Sequence, residues 1–428
     1  MLEEALRAAL ASAGASLLQA VLEHGGDGYC GPHARCDGCG GQAGYAGRRS
    51  RAVTTVLGQV TLARAWYHCA ACQAGHAPRD RQLGLAAAGT LSPAVAEMTA
   101  LACAEVPFAR AAALVRSLAG VSVSARTAAR SAEASGAAAR AAGEAEAAAL
   151  RARTLVPARP RGPLPDMFYI ETDGTGVPVR ASETAGRAGK AEDGSAGTRE
   201  VKLGRFFTVS ELDEKGRPVT DPGSSSYVAT FDGKDALSGL VEAEYLRRGG
   251  PRHRQVVALG DGAAWIWSMA ADLYPHATHI VDIYHAREHL HDLAAHLAFI
   301  TPDPEAWLAA RRDELDDGNI EAIIAAARAY PLEGVKATEL DTKIGYFEHN
   351  IHRMRYARFR KLGMFTGSGH IEAACKQIVA QRAKRSGMHW TVDGAASIIK
   401  LRTQHESGRW DEMWAPGPGQ PAPLRPAI

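Results

Sequence analysis

Three acidic residues far apart in the chain have the residue type and local context for metal-dependent chemistry. Asp173 follows the β-rich run MFYIET, and Asp261 follows the short apolar run QVVAL. Glu372 opens a predicted helix after the Gly-Ser-Gly turn of FTGSGHIE. If the two strands are neighbours, Asp173 and Asp261 meet, and such a pair requires cations between its charges. Oxygen ligands favour Mg²⁺ or Mn²⁺, so we predict these three acids as metal ligands and catalytic residues.

Each acid also has a purely structural interpretation. Asp-Gly is a common turn signal, and Glu372 with Lys376 has the spacing of an ion pair on one helical turn. Asp282 also ends a predicted strand and forms the motif DIYH with His285, so it competes for the second acidic position. We favour Asp261, because its strand is the one expected beside the first strand.

Cysteine spacing predicts a second kind of metal site. Four of the seven cysteines form two CxxC pairs, which are Cys36 with Cys39 and Cys69 with Cys72. Each pair can direct two thiolates at one ion, and an alternating hairpin pattern lies between the pairs, so residues 26–90 are predicted to form a zinc ribbon that holds Zn²⁺. A redox dithiol is the alternative, and Cys30 and His33 are alternative ligands. Cys103 and Cys375 are expected to be small core residues.

Basic residues in two regions are candidates for contacts with nucleic acid. A helix, a glycine-containing turn and a helix beginning near Ser124 outline a helix-turn-helix within residues 91–160. A second basic run, HRMRYARFRKLG, precedes the loop of Glu372, and further basic residues follow it. The predicted contacts are Arg126, Arg130, Arg353, Arg355, Arg358, Lys376 and Arg382. The alternatives are an Ala-rich helical spacer and a solvated helix face.

The composition is that of a folded protein with several domains. The chain has 428 residues, of which 46% are hydrophobic and 22% are charged, which excludes a disordered or fibrous protein. A net charge of +2 excludes a uniformly basic nucleic-acid coat. The clustered cysteines favour a reducing cytoplasm, and we expect no signal peptide, no transmembrane helix and no membrane partner.

The elements must position these side chains, and their predicted order defines the fold class. Three strands, a helix, a strand, a helix, a strand and a helix predict an α/β protein with a mixed sheet, the order of a ribonuclease H-like catalytic core. The predicted segments are an N-terminal helix (1–25), the zinc ribbon (26–90), the helix-turn-helix-like region (91–160), the first part of the core (161–299), a helical insertion (300–363), the last part of the core (364–405) and a flexible tail (406–428).

Several of these segments resemble one family along nearly the whole chain. They are ETDGTGVPV, TREVKLG, LGDGAAWIW, VDIYHAREHL, GSGHIEAACK and SGMHWTVDGA. They are similar to bacterial insertion-sequence transposases of the ISKra type and, more distantly, to Mutator-like DDE transposases. The resemblance implies a ribonuclease H-like core with Asp173, Asp261 and Glu372 as its metal-binding triad, interrupted by a helical insertion before the glutamate.

The resemblance also implies an activity and its partners. A transposase of this type cleaves the ends of an insertion sequence and joins them to target DNA, with double-stranded DNA as partner and a homodimer or larger assembly to process two ends. We expect it in the bacterial cytoplasm, associated with the nucleoid. The alternatives are a zinc-dependent DNA-binding protein with an inactive core, a ribonuclease H-like nuclease without strand transfer, and a glycosidase that uses two of the acids.

Overall fold

The computed structural model describes residues 1–85, 89–157, 160, 162–189 and 196–415. The chain divides into two compact units, one comprising Met1–Ala139 and the segment from Arg409, the other Arg140–Gly408. The predicted C-terminal tail begins within the last long helix, and its residues 416–428 lie outside the described residues.

The first unit begins with helices around a small antiparallel sheet. Its elements are α1 (Leu2–His24), β1 (His33–Arg35), β2 (Gln42–Thr55), β3 (Gly58–His68), β4 (Gly75–His76), α2 (Pro78–Gln82), α3 (Pro93–Glu105), α4 (Phe108–Ala119) and the first half of α5 (Ala125–Arg151). The strands pair in chain order, and β2 and β3 form the long hairpin that the alternating pattern predicted. The charged run of β2 also pairs with β3. The Arg48 and Arg49 side chains remain at the surface, whereas Arg51 is largely buried and forms an ion pair with Asp80.

Helix α1 packs on this hairpin. Leu18 and Leu22 contact a cluster of buried residues that includes Val60, and the Gln19 amide exchanges two hydrogen bonds with the backbone of Thr61. Among the described helices, α1 alone is long and apolar enough to cross a membrane by length and composition.

The three helices of the predicted helix-turn-helix region begin and end at residues suited to those positions. The Ser92 hydroxyl accepts a hydrogen bond from the Val95 N–H at the start of α3, and Ser124 caps α5 in the same way. Gly120 ends α4 in the left-handed conformation, with φ of +73°, which glycine adopts without strain. Helix α5 runs for 27 residues, because its Ala-rich sequence contains no proline and its many alanines offset the cost of Gly136 and Gly143.

The second unit contains a mixed sheet covered by helices on both faces. Its first elements after α5 are β5 (Met167–Pro178), β6 (Thr198–Leu212), β7 (Pro218–Thr220), β8 (Ser226–Thr230), α6 (Gly233–Arg247), β9 (Gln255–Gly260), α7 (Ala264–Leu273), β10 (Thr278–Val281) and α8 (Ile283–Leu297). The remaining helices are α9 (Pro304–Asp317), α10 (Ile320–Arg328), α11 (Gly334–Asn350), α12 (Tyr356–Lys361), α13 (Gly369–Ala374), α14 (Gln381–Ala383), α15 (Val392–Glu406) and, in the first unit, α16 (Trp410–Trp414). A π-helical segment, Cys375–Ala380, joins α13 to α14. As predicted, residues 300–363 contain helices and no strand.

The sheet places β5 and β9, which were predicted as the first and fourth strands, side by side as predicted; the short strand β7 makes β9 the fifth strand of this unit. The order is β10-β9-β5-β6-β7, and β8 also pairs with β6. Strands β5, β6 and β8 are antiparallel to one another in turn, whereas β9 runs parallel to β5 and β10 parallel to β9. Alternate residues of β5 fill two cores: Phe168 and Ile170 face α6 and α7, while Tyr169 faces the core built with α8 to α11. Because both faces are covered, β9 is apolar except for Gln255, whereas β5 also carries the buried polar residues Glu171 and Thr172.

The position of Asp173 in its strand differs from the prediction. It does not end β5, which continues to Pro178 paired with β6. The pairing of β5 with β9 ends at Glu171, so Asp173 lies just beyond the last residues of that parallel pair.

Candidate metal centres

The four paired cysteines gather at one point of the small sheet. Cys36 follows β1 and Cys69 follows β3, and a tight turn brings the second cysteine of each pair back to the first. The Cys36 and Cys72 sulfurs are 3.5 Å apart, those of Cys39 and Cys69 are 3.7 Å apart, and all four lie within 4.8 Å of one another. Sulfurs that surround one Zn²⁺ tetrahedrally are about 3.8 Å apart. The cluster could therefore hold zinc.

Backbone donors prepare two of these thiols for a cation. The Cys39 N–H lowers the pKa of Cys36, and the Cys72 N–H lowers the pKa of Cys69 to about 7. Cys30, an alternative ligand at the sequence level, lies outside the cluster, and its sulfur hydrogen-bonds to the Gly28 carbonyl oxygen at 3.2 Å. The ligand set is therefore the two CxxC pairs.

Asp173 and Asp261 form the acidic edge of the large sheet. Asp173 is half-buried, and burial raises its pKa, as does the charge of Asp261, while the Gly174 N–H lowers it. Asp261 follows the last residue of β9, the strand parallel to β5, and its Oδ1 accepts the Ala263 N–H at 2.8 Å. The two carboxylates repel each other, and a cation between them would relieve that repulsion.

A helix of the insertion covers the loop that carries Asp261. Gly262 has φ of +97°, and a Cβ there would lie 2.9 Å from the Tyr346 ring on α11. The Tyr346 hydroxyl donates to the Asp261 carbonyl oxygen at 3.4 Å. Glycine is therefore required after Asp261 for both its conformation and its space, and α11 restricts the loop.

Asp282, the competing acid, is built into the start of α8. It is 2% exposed, its Oδ1 accepts the N–H groups of Tyr284 and His285 at 2.6 and 2.8 Å, and its Oδ2 accepts the Ser368 N–H. These bonds, together with the His285 side chain, hold the pKa of Asp282 at about 2 despite its burial. Asp282 is a helix cap with both oxygens engaged, whereas Asp261 lies at the sheet edge beside Asp173.

Glu372 lies on the correct element, but its carboxylate does not join the other two acids. Helix α13 packs against β5, yet the Glu372 side chain is 67% exposed and pairs with Lys376 Nζ at 2.9 Å. Within the described ranges, ligand atoms from the three acids do not all lie within 4.8 Å of one another. The position of Glu372 at the start of a helix therefore agrees with the prediction. Its side chain, however, forms the ion pair with Lys376 that was the structural alternative.

Sequence reasoning missed two residues beside this edge. The Cys375 Sγ donates to Asp173 Oδ2 at 3.6 Å, and its spacing of three residues from Glu372 on a helix was the available signal. Glu171 is fully buried, and neither of its carboxylate oxygens has a hydrogen-bond partner among the described residues. Burial raises its pKa, and His370 Nδ1 lies 3.7 Å away. Strand alternation places Glu171 on the same face as Asp173.

Some of the basic residues predicted to contact nucleic acid are exposed, whereas others already bind groups within the protein. Arg126 and Arg130 are exposed one turn apart on α5, and Arg358 is exposed on α12. Arg355 instead forms a two-point ion pair with Glu321 at 2.5 and 2.7 Å.

Two further basic predictions require correction. Arg382 is fully buried, with its guanidinium over the Trp390 ring, so it cannot reach a phosphate in this structure. Arg353 is partly buried, and its guanidinium donates to the His349 carbonyl oxygen and to the Asn350 side chain. These hydrogen bonds hold the guanidinium against its own segment of the chain. The charge pattern does not distinguish such engaged arginines from exposed ones.

A comparison of the chain with models of protein families gives no match, and a search of curated proteins gives none either. The family resemblance therefore stays a prediction.

Replacing a cysteine of the four-sulfur cluster is expected to release zinc. Cys36→Ser and Cys69→Ser should lose the ion that the wild type holds, and with it the folding free energy of the small sheet, which is about 10 kcal/mol for structural zinc. Elemental analysis and limited proteolysis measure the two effects. Cys30→Ser is the matched control, and loss of zinc from it but not from Cys36→Ser would contradict the ligand assignment.

Replacing Asp282 is expected to lower the free energy of unfolding much more than replacing Asp261. Asp282→Ala removes a helix cap and leaves the buried Ser368 N–H without its acceptor, so the free energy of unfolding should fall by about 2–4 kcal/mol. Asp261→Ala should lower it by less than about 1 kcal/mol, because the carboxylate pair is repulsive. Urea unfolding of both variants checks this, and equal losses would show that Asp282 is not a specialised cap.

Stability is expected to fall at alkaline pH through His285. Asp282 raises the pKa of His285 to about 9 from its ordinary value of 6.5, so the protonated imidazole stabilises the fold fully below 6.5, and this stabilisation disappears as pH rises through 9. The effect should be on the order of 1 kcal/mol, since the half-exposed side chain is screened by solvent. Urea unfolding of His285→Gln should lack this alkaline loss, and an unchanged pH profile would exclude the pair as its source.

Proposed function

We propose that this protein is a DDE-type DNA transposase, which cleaves insertion-sequence ends and joins them to target DNA. The proposal depends on one observation: Asp173 and Asp261 lie at the same edge of a mixed sheet, on or next to two paired strands. The two residues are 88 positions apart in the sequence, since 261 minus 173 is 88. Four strands that pair antiparallel (β5 to β8), followed by two parallel ones (β9 and β10), with helices on both faces, support a ribonuclease H-like core. The helical segment between Asp261 and Glu372 supports the family resemblance.

The carboxylates fit a divalent metal by their chemistry. Asp173 and Asp261 offer oxygen ligands, repel each other, and lie at an accessible edge, the donor set that Mg²⁺ and Mn²⁺ prefer. Bound there, the metal would supply charge stabilisation for phosphodiester displacement. Glu372 would complete the set by leaving Lys376 and turning toward β5, against which its helix packs.

The first unit supports a role in DNA recognition. The four-cysteine cluster with its antiparallel strands supports a zinc ribbon, and on its hairpin the Arg49 guanidinium lies 4.3 Å above the Trp66 ring. The exposed Arg126 and Arg130 lie near the start of α5, where a recognition helix presents its side chains. These residues would bind the terminal inverted repeats, and two ends processed together would require two or more copies of the chain.

One observation favours a second candidate, a zinc-dependent DNA-binding protein with an inactive core. Glu372 is exposed and paired with Lys376 rather than directed at Asp173. Such a protein would bind the same DNA without cutting it.

Substitution of either paired aspartate is expected to abolish DNA cleavage. The substrate is a supercoiled plasmid that carries the DNA flanking the coding sequence of this chain, incubated with Mg²⁺. Asp173→Asn and Asp261→Asn should lower the cleavage rate about 100-fold or more, because each removes a charge that holds the metal. Asp272→Asn, an exposed acid on α7, is the matched control and should cleave at the wild-type rate.

The products separate the candidates. Joined DNA together with cleavage identifies a transposase, whereas cleavage without joining identifies a nuclease. Binding of the flanking DNA without cleavage by the wild type would favour the inactive core, and full activity of Asp261→Asn would refute the site itself.

A further inference from the structure

The thiol of Cys375 contacts the first acid from a distant part of the chain. Cys375 is 7% exposed, and its Sγ donates to Asp173 Oδ2 at 3.6 Å. The other oxygen, Oδ1, accepts the Gly174 N–H at 2.6 Å. The two donors fix the plane of the Asp173 carboxylate, and each oxygen retains a lone pair for another partner.

The helix that carries Cys375 has an unusual geometry at this residue. The π-helical segment begins at Cys375, and such segments are rare and concentrate at functional sites. Arg402, which is 1% exposed, donates to the carbonyl oxygens of Gln377 and Ile378 at 2.6 and 2.9 Å. A buried guanidinium needs acceptors, and these carbonyls supply them, so Arg402 holds the π-helical segment in place.

The same helix is attached to β5 at a second point. The Lys384 ammonium group donates to the Thr175 hydroxyl, two residues beyond Asp173. Cys375 and Lys384 therefore hold the strand at Asp173 and at Thr175. This arrangement limits the movement of the carboxylate relative to the helix of Glu372.

We propose that Cys375 is a positioning residue of the catalytic metal site, which orients the Asp173 carboxylate for a divalent cation. The inference rests on the proposed function and deepens it. A thiol is a weak donor, so it orients the oxygen without competing strongly with a cation. A serine hydroxyl keeps a stronger donor at this position, on a shorter bond to Cβ, whereas an alanine has no donor.

Mn²⁺ binding to the full-length, zinc-loaded protein tests this role without relying on activity. Electron paramagnetic resonance of free Mn²⁺ measures the affinity in wild type, Cys375→Ala, Cys375→Ser, Asp173→Asn and Cys103→Ala. We expect Cys375→Ala to weaken Mn²⁺ binding about tenfold, as the loss of a residue that orients a metal ligand does. Cys375→Ser should bind Mn²⁺ more tightly than Cys375→Ala, because it keeps a donor, and Cys103→Ala, which removes a buried thiol that bonds a helix carbonyl instead, should be unchanged.

Cleavage at varied Mg²⁺ provides the second readout. Cys375→Ala should need about tenfold more Mg²⁺ for half-maximal cleavage and recover most of its rate at saturation, because the ligands themselves remain. A purely structural role would instead lower the rate at every Mg²⁺ concentration.

The possible failures are distinguishable. Normal Mn²⁺ affinity in Cys375→Ala, with binding lost in Asp173→Asn, would overturn the role of Cys375 and leave the proposed function standing. Equal losses in the alanine and serine variants would assign Cys375 to packing and also overturn it. Absence of Mn²⁺ binding by the wild type would refute the metal site, and the inference with it.

Discussion

Two negative charges are held close together at the edge of a sheet, and the surrounding structure serves to keep them there. The parallel pairing of β5 with β9 fixes Asp173 and Asp261 as neighbours, and the aligned apolar residues on both faces of these strands resist their separation. Burial and mutual repulsion both disfavour the charged form of Asp173. Such a cost is typical of functional sites, and the cation binding proposed above would relieve it.

The acids near this edge differ in their contacts more than in their positions. Asp282 is saturated by backbone donors and has a low pKa, whereas Glu171 is buried, its oxygens have no hydrogen-bond partner among the described residues, and its pKa is raised. Asp173 lies between these extremes, with two donors and partial exposure. These contacts assign the carboxylates to different tasks: Asp282 caps a helix, and Asp173 with Asp261 remains available to a ligand.

The features that depend on local spacing could be predicted from sequence. The CxxC pairs, the caps at Ser92 and Ser124, and the strand order follow from short patterns, and the adjacency of the first and fourth strands follows from that order. The location of Asp173 inside β5 could not, because strand length depends on pairing with β6. The burial of Arg382 and the contact of Cys375 depend on tertiary packing, which residue type does not encode.

The π-helical segment also changes how the chain after Glu372 must be interpreted. Its hydrogen bonds span five residues instead of four, so the angular phase of the helix shifts between Cys375 and Ala380. A helical wheel drawn with one uniform period across Gly369–Ala383 therefore misassigns the faces on one side of that segment. For the same reason, a single-residue insertion or deletion there would rotate everything downstream, so this stretch should tolerate substitutions far better than changes in length.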